Sequence, residues 1–243
     1  MYIMDSKIIM IFGGTGVLCR AIGNGLAEKN NTCILIGRNK DNITNLLEHP
    51  NIEFLKCDVT KVNEIHDVYL IVYNKYKQID VVINGMGINS QQPLLSIEPN
   101  DIHMIMDVNF NALFCSCQEA YKHMHEHGGC IINLGSVSGI IPLSKVFIYS
   151  CSKAAVHSIS KNLAREWGKD NIRVNTLIPG FFPAEQNKKI LTPERTQSIL
   201  QHTPLQRFGD PKELIEPVWM ICNASYMTGS EIIVDGGFSC QTI

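Results

Sequence analysis

Short apolar runs rich in β-branched residues alternate along the whole chain with longer segments whose apolar residues recur at three-and-four spacing. Lys7–Phe12, Thr32–Ile36, Ile52–Lys56, Ile79–Asn84, Cys130–Leu134, Ile172–Leu177 and Glu231–Val234 read as strands. Leu18–Lys29, Val62–Lys77, Asp101–His125, Tyr149–Trp167 and Pro211–Cys222 read as helices, with a shorter helix within Asp41–Glu48. The strands are apolar throughout instead of alternating, so both faces of their sheet must be covered. Strand–helix–strand alternation then implies right-handed crossovers and an α/β fold, a doubly wound parallel sheet of seven strands with helices on both faces.

At 243 residues, 45% apolar and 18% charged, the chain can bury one core without disulfides, and a single domain over 1–243 is expected. A net charge of −2 gives nucleic acid no electrostatic hold. The longest uncharged stretches contain Gly, Asn, Ser and Pro, so no membrane span is expected. The apolar run Ile8–Phe12 is too short for the core of an export signal. Nine cysteines, an odd number lying mostly in apolar segments such as Cys33, Cys57 and Cys130, read as buried thiols of a cytoplasmic protein. One region breaks the rhythm. Between Pro179 and Pro211 lie five prolines, counting both ends, and the pair Phe181–Phe182, which reads as a substrate loop or lid over about 180–210 with a helix from Glu185 to Gln201.

The first strand runs into Phe12-Gly13-Gly14-Thr15-Gly16-Val17-Leu18-Cys19, which opens the first helix. A glycine turn there lets the backbone approach a pyrophosphate, and the amides and positive dipole end of the helix favour its charge. Gly13, Gly14 and Gly16 are the candidates, with Thr15, Val17 and Leu18 beside them; a tight turn alone is the simpler reading of the same glycines. After the second strand stands Arg38, with no carboxylate at the position that would hold the ribose hydroxyl of NAD. This favours NADP and leaves NAD open, and it is equally a solvated charge at a strand end. Asp58-Val59, after the third strand, either meets the adenine edge or caps the next helix.

Tyr149 and Lys153, four residues apart on one helix, place a phenol and an ammonium on the same face near the carboxyl edge of the sheet. A neighbouring cation would draw the phenol down toward working pH. Tyr73 and Lys77 share that interval but feed the amino edge, where they read as a solvated helix end. Ser136 follows the fifth strand and can donate to a carbonyl oxygen whose charge grows in a hydride transfer. Asn109, polar amid apolar neighbours, suits a helix opened to hold water beside Lys153; packed hydrogen bonding is the plainer role. His123, His125 and His127 lack a completing ligand, so no metal is expected, and Cys115 and Cys117 read as packing residues.

Taken together, these motifs identify the chain as resembling a short-chain dehydrogenase/reductase along essentially its whole length. The resemblance puts the family's Ser, Tyr and Lys on Ser136, Tyr149 and Lys153, its water-holding Asn on Asn109, and its Asn-Ala-Gly strand end on Asn84-Gly85-Met86-Gly87. It implies a Rossmann-type fold, NADP or NAD as cofactor, and Asn84, Gly85, Pro179, Gly180 and Phe182 as further cofactor contacts. It also implies a phenol that exchanges the substrate proton, a lysine that lowers its pKa and holds the nicotinamide ribose, and a serine that orients the carbonyl of a small-molecule ketone or alcohol. Dimers or tetramers through the helices containing Phe114 and Trp167 are implied as well. Two residues depart from the pattern: Phe12 replaces a Thr, and Cys19 replaces the loop's last glycine, which should weaken nucleotide binding or push the helix outward. The Gly-Gly-Thr-Gly-Val-Leu loop and Gly180–Asn187 are similar to the branch acting on sugar acids, the mannonate oxidoreductases (fructuronate reductases) and gluconate 5-dehydrogenases. Lys188, Lys189 and Arg195 are candidates for a substrate carboxylate. A 3-oxoacyl thioester reductase and a non-catalytic NADP(H)-binding sensor are the alternatives.

Overall fold

The computed structural model describes residues 6–182 and 192–240. Seven strands, β1 (Ile8–Phe12), β2 (Thr32–Gly37), β3 (Ile52–Lys56), β4 (Val81–Asn84), β5 (Gly129–Leu134), β6 (Ile172–Pro179) and β7 (Glu231–Val234), form one sheet in the order β3-β2-β1-β4-β5-β6-β7. Every pairing is parallel. Alternate residues of β1 show why the strands are apolar on both sides. Met10 and Phe12 enter one core, shared with Ile65, Tyr69, Leu113 and Val156, while Ile9 and Ile11 enter the other, shared with Ile22, Leu26, Val218 and Ile221. The helices are α1 (Val17–Glu28), α2 (Val62–Tyr76), α3 (Pro99–Met106), α4 (Ala112–Met124), α5 (Phe147–Trp167), α6 (Pro193–His202) and α7 (Ile215–Asn223). Helices α2, α4 and α5 cover the first face, and α1 and α7 the second. The chain leaves β1 toward β2 and β3 on one side and resumes at β4 on the other, so a crevice opens between the carboxyl ends of β1 and β4.

Three expectations change. The single helix expected over Asp101–His125 divides into α3, a π-turn at Asp107–Asn111, and α4. Asp41–Glu48 holds two short 3-10 turns, Asp41–Ile43 and Leu46–Glu48, and no continuous helix. Tyr73 is not solvated: its ring is partly buried on the first core and meets His123 edge-on at 5.1 Å. Of the expected lid helix, 185–191 lies outside the described residues, including Lys188 and Lys189. The remainder is α6, where Pro193 takes a first-turn position and the Thr192 side chain accepts from the Arg195 backbone amide at 3.2 Å. Among the described residues no helix is long and apolar enough to cross a membrane.

Candidate active site

The glycine loop is held by backbone geometry. Gly13 has φ +72°, and a side-chain carbon there would lie 2.7 Å from the Gly85 carbonyl oxygen; at Gly14 it would lie 2.8 Å from that of Ile11. Gly16 caps α1 with no side-chain bond to the helix, so the first turn at Val17 and Leu18 has no internal competitor for an anion. Thr15 packs over Gly37, where a side-chain carbon would come 2.9 Å from its Oγ1. Arg38 is exposed just past β2, and its charge reaches Asp58 at the end of the neighbouring strand. The Asp58 carboxylate accepts from the Thr60 amide and hydroxyl at 3.1 and 2.8 Å, which lowers its pKa; it does not cap α2, whose capping position is Lys61. Val59 beside it is partly buried on the first core.

The two unusual loop residues are both packed inside the protein. Phe12 is wholly buried and stacks on Tyr69 with ring centres 5.6 Å apart. Cys19 is buried over Gly85, where a side-chain carbon would stand 2.1 Å from the sulfur. The missing side chain of Gly85 therefore provides the space that the extra one at Cys19 needs. Burial pushes the Cys19 thiol up to about 12, which makes it a packing group with little thiolate character.

Asn84 does not turn its side chain to the crevice. It is fully buried, donates to Asn133 Oδ1 at 2.9 Å and accepts from Ser116 Oγ at 2.6 Å, while Asn133 donates to Ser160 at 2.9 Å. This polar network ties β4 and β5 to α4 and α5 and satisfies groups that would each be costly to bury alone. At the end of β6, Pro179 pairs with Val234, and the Gly180 amide donates to the Val234 carbonyl at 2.9 Å. Phe182 is buried in the second core beneath Gly209, and Phe181 meets Phe238 edge-on at 4.8 Å.

At the carboxyl end of β5 the chain enters Ser136, an extended residue whose hydroxyl accepts from the Ser138 amide at 3.2 Å and the Ser138 hydroxyl at 3.0 Å. With those donors in place, the Ser136 proton is free to point outward, toward Tyr149 or a substrate oxygen. Tyr149 sits in the first turn of α5, half-buried, with the Ser136 side chain near enough to act on its phenol. Lys153, one turn on and buried, sends its Nζ to the Leu134 carbonyl at 2.7 Å and lies 5.8 Å from the Tyr149 ring centre. The expectation that this ammonium lowers the phenol pKa is corrected here. Burial raises it, the Ser136 hydroxyl opposes the rise, and Lys153 is held beside the ring by a backbone carbonyl. Lys153 itself is brought down to about 8 by burial.

Asn109, at the π-turn, is fully buried and grips the chain segment that follows β4 through both the amide and the carbonyl of Ile88. Its Oδ1 accepts from the Ile88 amide at 2.8 Å, and its Nδ2 donates to the Ile88 carbonyl at 2.9 Å and to Ser152 Oγ at 3.0 Å. A side-chain carbon at Gly87 would meet Asn109 Oδ1 at 3.5 Å and Lys153 Nζ at 3.6 Å, so the opened turn stands beside the lysine. Asn109 thus ties the π-turn to the segment after β4 and to α5. Elsewhere, His123 and His125 spend a ring nitrogen on backbone carbonyls of α4 and stack on tyrosines, and Cys117 joins the buried asparagine network.

The depressed Lys153 pKa has a sign that can be tested. A lysine unfolded near 10.5 and folded near 8 penalises the folded state below pH 8, and the penalty fades as pH rises from 8 to 10.5. Denaturant melts of the parent and Lys153→Met are therefore expected to diverge in the parent's favour across that window. A constant difference would show that the ammonium is not desolvated.

A hydroxyl, a phenol and a buried amine thus converge beside a glycine-lined helix terminus at the switch point of a parallel sheet. The family model described as enoyl-(acyl carrier protein) reductase matches residues 16–239. The chain belongs to the short-chain dehydrogenase/reductase family. Carbonyl reductase family member 4 of Xenopus tropicalis is 32% identical over 238 residues, covering 97% of this chain and 99% of that protein. The 3-oxoacyl-[acyl-carrier-protein] reductase of Mus musculus is 27% identical, over 95% of this chain and 97% of that one. A gluconate 5-dehydrogenase from Burkholderia cenocepacia, solved with NADP and tartrate, superposes with a TM-score of 0.92 at 25% identity, covering 98% and 97%. The chain is accordingly an oxidoreductase of a family that uses NAD(P) and works between CH–OH and carbonyl.

Sequence reasoning missed His157, the accommodation of Cys19 by Gly85, and the Asn84–Asn133–Ser116–Ser160 network. His157 continues the four-residue stripe of Tyr149 and Lys153, a signal that was present. The network joins residues from four elements and has no local signature.

Proposed function

We propose that the protein is an NADPH-dependent ketone reductase that also runs in the oxidative direction, with a sugar acid or polyol as its substrate. The observation that carries the reading is the convergence of Ser136, Tyr149 and Lys153 at the crevice. The uncapped first turn of α1 and the glycines before it would hold the pyrophosphate, Arg38 the 2′-phosphate, and Lys153 the nicotinamide ribose. Bound NADPH supplies the hydride. Ser136 donates a hydrogen bond to the carbonyl oxygen and Tyr149 delivers the proton, both aimed at the atom on which negative charge grows. That hydride would go to the carbonyl carbon, ketone, NADPH and one proton giving alcohol and NADP⁺.

The sugar-acid assignment is supported by the gluconate 5-dehydrogenase neighbour and by Arg195 on α6, whose Nε is buried with no partner among the described residues. A 3-oxoacyl thioester is the second reading, favoured by the acyl-carrier-protein reductases among the relatives. Initial rates of NADPH oxidation with 5-ketogluconate, fructuronate and an acetoacetyl thioester separate the two. Tight NADPH binding without turnover of any of them would instead identify a sensor. Arg38→Asp is expected to move cofactor preference toward NAD, because a carboxylate there repels the 2′-phosphate and accepts from a ribose hydroxyl. Unchanged ratios of kcat/KM for NADPH and NADH would discredit Arg38. We place a copy-to-copy interface on α4 and α5, where Phe114 is more than a third exposed.

A further inference from the structure

Ser136 is held at a third point that the reaction does not use directly. Its backbone amide donates to Nε2 of His157 at 3.2 Å. His157 lies on α5 one turn beyond Lys153, so Tyr149, Lys153 and His157 form one stripe of the helix. Its ring is buried and nested against two glycines, since a side-chain carbon at Gly135 would lie 2.2 Å from Nε2 and one at Gly139 2.9 Å from Cε1. The opposite nitrogen, Nδ1, faces the Glu231 carboxylate at 3.8 Å, and Lys161 holds that carboxylate at 2.7 Å.

An Nε2 that accepts from an amide carries no proton, so the neutral ring has its hydrogen on Nδ1, on the side of Glu231. We propose that His157 is a positioning residue for Ser136, its neutral imidazole fixing the serine turn beneath the substrate carbonyl while Glu231 selects the tautomer. Protonation turns the acceptor into a donor aimed at another donor, and the Ser136 turn loses its anchor. The charged groups facing the ring are Glu231 at the start of β7, and Lys153 and Lys161 on α5; burial and the two ammonium groups oppose its protonation, and Glu231 favours it. The net effect lowers the His157 pKa below its ordinary 6.5, which keeps the ring in its accepting form at neutral pH.

The inference rests on the ketone-reductase reading, and its test has one arm that needs no substrate. In His157→Leu the Ser136 amide is buried without an acceptor, and kcat for ketone reduction is expected to fall about ten- to hundredfold with the dissociation constant for NADPH unchanged. In His157→Gln the amide oxygen restores the acceptor. Turnover is expected to return to within about threefold of the parent, a change in the barrier of less than about 1 kcal/mol, and the acid loss of kcat expected of the parent is expected to vanish. Glu231→Gln removes the charge that favours protonation and moves that acid limb to lower pH. Full turnover in His157→Leu, or an acid limb that survives in His157→Gln, overturns the proposal. In the substrate-free arm, the Ser136 amide resonance of ¹⁵N-labelled protein is expected to titrate in the parent and stay fixed in His157→Gln; an amide blind to pH in the parent overturns it equally. Absence of turnover in the parent with every carbonyl would refute the reductase reading alone, while the amide titration would still report on the His157 contact.

Discussion

Replacing Tyr149 by phenylalanine is expected to lower ketone turnover by about 10²- to 10⁴-fold while NADPH binds as before, the range associated with loss of a positioned acid. The substitution removes one oxygen, and the ring keeps its place beside Lys153, so the fold and the nucleotide cradle have no reason to change. The Ser136 hydroxyl still reaches the carbonyl and the hydride source is intact, but no group delivers the proton as charge develops on oxygen. Turnover by the variant equal to that of the parent would remove Tyr149 from the chemistry. Burial raises the phenol pKa, so the protonated form needed for reduction persists through neutral and mildly alkaline pH. The reductive rate is therefore expected to hold to higher pH than an ammonium-depressed phenol would allow.

The second large effect is expected at a residue with no chemistry. Gly85→Ala places a carbon 2.1 Å from the Cys19 sulfur, 3.2 Å from the Phe12 carbonyl oxygen and 3.3 Å from Leu134, all in the packed floor of the crevice. The cost of forcing that carbon in is about 1–3 kcal/mol, read as a fall in melting temperature of roughly 2–12 °C for a chain this long. Because the nearest obstacle is the Cys19 side chain, Cys19→Gly in the same chain is expected to recover most of the loss, and the double-mutant cycle should show a large coupling. Additive effects of the two substitutions would mean that the sulfur and the glycine do not share one space.

The pattern of the chain was enough to place all seven strands within two residues of their observed ends, because a strand buried on both faces must be apolar at every position and the crossovers between parallel strands must be helical. Ser136, Tyr149 and Lys153 were legible for a related reason. Each is fixed by its offset from a strand end or a helix start, and parallel sheets put those points at one edge. The helix over Asp101–His125 was read as continuous because the period of its apolar residues continues through Asp107–Asn111. The wider turn there is accompanied by the grip of Asn109 on Ile88 and Ser152, contacts made across the chain.

Period and spacing along the chain thus determined the sheet and the meeting of the glycine loop, Ser136, Tyr149 and Lys153 at one of its edges, since each depends on residues near one another in sequence. What a side chain does once buried was decided in three dimensions. Asn84 looked available to a ligand and is committed to Asn133 and Ser116; Cys19 looked disruptive and is accommodated by the glycine that follows β4. Lys153 looked like a cation acting on a phenol and is itself desolvated and tied to Leu134. Hydrogen-bond partners and solvent exclusion come from elements far apart in the chain, and those two quantities set a buried group's charge and its reach.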